Sequence, residues 1–109
     1  MERENLDMNE ITEERRAALA RTIVPVSTEE LAELGDRIFP NLDHPWRQIF
    51  LDFVAQHSGA RFFHGTTHDG VHVLYCDSQE QGIWFVPDTG SGPLQDKGIA
   101  ILREITASL

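Results

Sequence analysis

The chain has 109 residues, 40% of them apolar and 25% charged, which fits one globular domain built around one core. Nine basic against eighteen acidic residues give a net charge of −9. That balance opposes nucleic-acid binding, because phosphates need cations to displace their counterions, and no apolar run approaches the ~20 residues of a membrane span.

Residues 1–8 read as a disordered tail and residues 9–109 as a single α+β domain. The opening "MERENLDMNE" is too polar for a signal peptide. The single cysteine, Cys76, cannot form an internal disulfide. Both features favour a cytoplasmic location. A first helix is expected from Asn9 or Thr12 to about Thr22, with a thin apolar stripe of Ile11, Ala18, Leu19 and Ile23. So thin a stripe predicts loose packing or cover by a partner. A second helix starts at a capping box, with Ser27 as cap and Glu30 reaching back to it. Phe39-Pro40 ends it. A third begins at Asp43 or His44, with Pro45 in its first turn. Trp46, Ile49, Phe50, Phe53 and Val54 form the strongest amphipathic stripe in the chain. Of these, Trp46, Phe50 and Phe53 are expected to form the main core with the sheet and the last helix. Gly59 suits the left-handed residue after that helix.

The period then changes to two. "ARFFHGTT", "VHVLYC" and "GIWFVP" read as three strands of an antiparallel meander, joined by short loops at residues 68–70 and 77–82. A last helix is expected from Pro93, with Leu94, Ile101, Leu102 and Ile105 inward and Gly98 allowing close approach to the sheet. The expected architecture is three N-terminal helices, a three-stranded meander and a C-terminal helix, with the helices on one sheet face.

The stretch "FVPDTGSG" resembles the catalytic signature of aspartic proteases, an apolar strand followed by Asp-Thr-Gly-Ser. That family is almost wholly β, whereas much of this chain reads as helix. Only 18 residues follow Ser91. Asp88 therefore receives no catalytic role. The same stretch can be read as an anion loop of Gly90, Ser91, Gly92 and Pro93, with Lys97 one turn into the helix. It lacks the lysine of a P-loop. A corner between strand and helix is the stronger reading.

His64, His68, His72 and Cys76 recur at intervals of four. In a hairpin their faces depend on the turn. A two-residue Asp69-Gly70 turn puts His64 and His72 on opposite faces. A three-residue loop with Gly70 left-handed pairs Thr67 with Val71 and puts both on one face. In the second case His64, His72 and Cys76 are candidate metal ligands. No catalytic set stands out, and no organic cofactor is implied.

Residues Ile83, Trp84, Phe85 and Val86 are apolar on both faces of a strand that a simple meander leaves at an edge. They are the expected interface, either of a homodimer or with a protein partner. Acids outnumber bases by 11 to 5 over residues 1–43, so that partner would be basic. The functional expectation is a small, acidic, non-enzymatic interaction module, such as a regulator, inhibitor or immunity-type protein. The alternatives are a metal-binding protein or enzyme centred on the histidines, or an anion-binding protein.

Overall fold

The computed structural model describes residues 11–86 and 89–109. The expected tail at residues 1–8 and the Asp88 turn lie outside the described residues. Among them the order is α1 (Glu13–Thr22), β1 (Val24–Val26), α2 (Thr28–Ile38), α3 (Pro45–Gln56), β2 (Phe62–Thr66), β3 (His72–Cys76), β4 (Gln81–Val86), β5 (Gly90–Pro93) and α4 (Asp96–Thr106). The five strands form one antiparallel sheet in sequence order.

The expected meander is the middle of this sheet, and a short strand is added at each side. β1 pairs Pro25 with Phe63, at an edge, where proline's missing N–H costs no ladder bond. β5 pairs Trp84 with Gly92 and Val86 with Gly90. The Gly90–Pro93 stretch is therefore a strand and not the first turn of the last helix, which starts at Asp96. The reason lies in Trp84. Its indole lies across β5, so close that a Cβ on Gly92 would meet Nε1 at 3.0 Å. Glycine lets a strand pass beneath a ring that any side chain would displace.

This overturns the edge placement of β4, which lies between β3 and β5. Ile83 and Phe85 are buried against α2 and α3. Trp84 and Val86 pack partly buried on the opposite face. The two-faced apolar strand is thus an interior strand of a sheet covered on both sides, and the expected homodimer loses its surface.

The helices do not share one face. On one side α2 and α3 set Leu31, Leu34, Phe39, Phe50 and Phe53 against Phe62, Leu74, Cys76, Ile83 and Phe85. On the other, Leu19 and Ile23, at α1, and Ile99 and Leu102 of α4 cover Phe63, Val71, Val73 and Tyr75. Alternation along the strands sends each ring to one layer or the other. The α3 stripe keeps Trp46, Phe50, Phe53 and Val54 against the core but leaves Ile49 40% exposed. The last helix belongs to the opposite layer and takes no part in the α3 core.

Local signals explain the helix ends. Thr12 caps α1 by accepting from the Arg15 amide. The capping box at Ser27 forms in both directions, at 3.1 Å to the Glu30 amide and 2.8 Å back. Gly59 follows α3 at φ +86. The thin stripe of α1 packs tightly because Gly65 lies beneath it. A Cβ there would meet Leu19 Cδ2 at 3.0 Å and Ile23 Cα at 3.2 Å. Gly98 faces Ile11 and Leu94 at ordinary contact distance, and not the sheet.

Candidate functional site

The β2–β3 hairpin turns through His68-Asp69-Gly70. The Gly70 amide donates to the Thr67 carbonyl, Gly70 adopts φ +85, and the Thr67 amide donates to the Val71 carbonyl. This is the three-residue turn with a left-handed glycine. Thr66 therefore faces His72 and His64 faces Leu74. His64 and His72 become diagonal neighbours on the α2–α3 face.

The two imidazoles meet. His64 Nε2 lies 3.1 Å from His72 Nδ1, and the rings stack at 5.3 Å with an interplanar angle of 17°. The Phe85 ring stacks on His72 at 5.3 Å and 4°. Phe85 in turn packs on Phe39 at 5.3 Å and Phe50 at 5.9 Å, so the pair abuts the aromatic core. Burial pulls the His64 pKa down to about 4, and the nearby His72 and Arg37 charges pull the same way. Burial also lowers that of His72. Both rings are neutral at pH 7.

Cys76 does not join them. It shares their sheet face, but Leu74 stands between it and His72, and the strand rise separates the two α-carbons by ~13 Å. Cys76 is fully buried, with its sulfur 3.6 Å from Ser78 Oγ. Among the described residues no three His, Cys, Asp or Glu side chains converge as a metal group.

The hairpin tip is fixed from the other layer. Arg15 of α1, 8% exposed, donates through Nε and a terminal nitrogen to Asp69 Oδ2 at 3.2 and 2.9 Å. Thr67 Oγ1 donates to Asp69 Oδ1 at 2.6 Å. Desolvation alone would raise the Asp69 pKa. Bonds from Arg15 and Thr67, with the Arg15 charge, overcome it and hold the value at about 2.

The candidate anion loop is not assembled as a helix-terminal cradle. Gly90, Ser91 and Gly92 pair with β4, and Lys97 is an exposed residue of α4. A cleft of about 270 Å³ that the sequence did not suggest is lined by Arg61, Tyr75, Asp77, Glu80, Arg103 and Thr106, among others. Its arginines are engaged, Arg61 with Asp77 and Arg103 with Glu80. Its residues come from the position just before β2, from β3, the β3–β4 turn and α4 with the residues after it, so no local pattern could have flagged it.

Charge divides between the layers. Residues 27–57, which include α2 and α3, hold six acids and two arginines, net −4. The α1 and α4 segments, residues 11–23 and 94–106, hold four acids and five bases, net +1. The acidity expected over the N-terminal helices is thus absent from α1 and, among the described residues, lies on α2 and Asp43, whereas in α3 Arg47 balances Asp52. Comparison with protein-family models, with curated proteins and with solved structures found no match.

Proposed function

We propose that this protein is an interaction module whose α2–α3 layer docks a basic protein partner. The observation that carries this reading is the net charge of −4 on that layer, around exposed Leu42, Ile49 and Leu51. Among the described residues Glu29, Glu33 and Asp43 pair with no arginine. Acids without internal partners steer a cationic surface, and apolar side chains among them add contact area. The sheet edges are poor alternatives. β1 carries Pro25, and β5 is a four-residue strand of two glycines, a serine and a proline. Short, proline-bearing edges discourage strand addition.

The test compares Glu29→Gln/Glu33→Gln/Asp52→Asn with the control Glu13→Gln/Glu14→Gln in α1. Each is used to capture partners from the native cell at low and high salt. The reading expects a basic protein held by wild type and control, lost from the triple variant and weakened by salt. Equal capture by all three proteins, or a partner lost only from the control, overturns it.

A further inference from the structure

We infer that His64 and His72 form a two-imidazole site for a borderline divalent transition-metal ion, with copper(II) held most tightly. The inference goes beyond the partner reading and does not depend on it.

Geometry comes first. His64 Nε2 and His72 Nδ1 are 3.1 Å apart and belong to adjacent strands of a five-stranded sheet. Imidazole nitrogens bind such metals at about 2.0–2.1 Å, so this separation corresponds to a chelate angle of roughly 100°. That lies between square-planar and tetrahedral demands. His72 is already oriented by its stack on Phe85. Both rings must turn off the line joining the two nitrogens for their lone pairs to converge on one ion.

Protonation comes second. In the neutral pair one facing nitrogen carries a proton and the other accepts it. Moving that proton to the far nitrogen of the same ring leaves two lone pairs facing each other. Without a cation they repel. With one they are two ligands, and no net proton is released.

Selectivity follows from the donor set. Imidazole nitrogen suits copper, nickel and zinc, and copper(II) lies highest in the affinity order of divalent ions. Magnesium and calcium prefer oxygen donors. Both histidines are half-buried, which leaves coordination positions for water. Arg37 places an opposing charge nearby. The metal is therefore exchangeable and not a structural ion without which the fold fails.

The test uses the full chain after chelator treatment, titrated separately with Cu²⁺, Ni²⁺ and Zn²⁺ by calorimetry. The expected result is one equivalent of copper, with a two-nitrogen pattern in its paramagnetic resonance spectrum. His64→Gln and His72→Gln should each weaken binding about tenfold or more, while Cys76→Ser and His68→Gln should leave it unchanged. Wild-type imidazole resonances provide a readout that needs no variant. Zinc should shift the ring nitrogens of His64 and His72. Shifts confined to His44, His57 or His68, undiminished copper affinity in either glutamine variant, or no binding at all would overturn the site.

Discussion

The two helical layers bury similar sheet faces by different means. The α2–α3 layer packs with rings: Phe39, Phe50 and Phe85 touch one another, and Phe53 meets Phe62 edge-on. The α1–α4 layer packs with aliphatic side chains on Val71, Val73 and Tyr75, and α1 comes close only because of Gly65. Charges differ in the same sense. In the α1–α4 layer they join elements: Arg15 to Asp69 at the hairpin tip, Arg16 to Glu104 between the helices, Arg103 to Glu80 in the β3–β4 turn. In the α2–α3 layer the one such ion pair among the described residues is Arg47 with Asp36, and the Arg47 guanidinium also donates to the Gly35 and Phe39 carbonyls at the end of α2. The remaining acids of that layer face solvent. One layer uses its charges to hold itself together, and the other presents them outward.

The largest expected effect breaks the aromatic layer. Phe50 is 1% exposed, and its ring also fills the space that the missing side chain of Gly35 leaves open. Phe50→Ala should cost about 3–5 kcal/mol. Chemical denaturation measures it, and a loss below about 1 kcal/mol on that scale would show that the layer repacks freely.

The opposite layer should be broken by adding atoms. Gly65→Ala drives a Cβ against Leu19, Ile23 and the α1 backbone, at 3.0–3.2 Å. Overpacking of this kind costs about 1–3 kcal/mol. The loss should come with faster amide exchange across α1 and little change across α3. Uniform exchange in both layers would mean that they are not separable in this way.

The same contrast explains what was legible in the sequence. Long, strongly patterned elements were: the α3 stripe from Trp46 to Val54, the capping box at Ser27, and three aromatic-rich strands. The shared face of His64 and His72 was also legible, but only as one of two turn geometries. β1 and β5 were not legible. "VPV" is three residues with a proline between two helices, and "GSGP" has the composition of a turn. Each is a strand because a longer neighbour supplies the pairing, and for β5 because Trp84 needs glycine beneath it. Missing them moved β4 to an edge and suggested an interface where the molecule has core. The two-sided helix cover was hidden for a related reason. The inward faces of adjacent helices do not say which side of a sheet they choose.

A smaller effect probes the helix that presents the acids. Ser27→Ala removes the bond from the Glu30 amide and should cost about 1 kcal/mol. Circular dichroism and the denaturation midpoint together decide it. An unchanged midpoint with α2 intact would mean that the first turn is held by packing alone.

The smallest effect concerns the charges that join elements in the other layer. The Asp69 carboxyl is held at about 2, below its ordinary 3.8, by Arg15 and Thr67. A depressed carboxyl binds protons in the unfolded chain before it does in the folded one. Its contribution is therefore complete above pH about 4 and is lost as pH falls toward about 2. The Asp69 side chain is 38% exposed, so solvent screens much of the interaction. Arg15 is the buried partner, and acid would leave its charge without the carboxylate that faces it. Stability measured from pH 5 to pH 2 should fall more steeply for wild type than for Asp69→Asn, and the two curves should converge at the acid end. Raising the salt concentration should reduce the difference without removing it, because the arginine is shielded from counterions. Parallel curves across the whole range would place the hairpin tip outside the network that binds α1 to the sheet. The α1–α4 layer would then rest on its aliphatic contacts and on the Arg16–Glu104 and Arg103–Glu80 pairs.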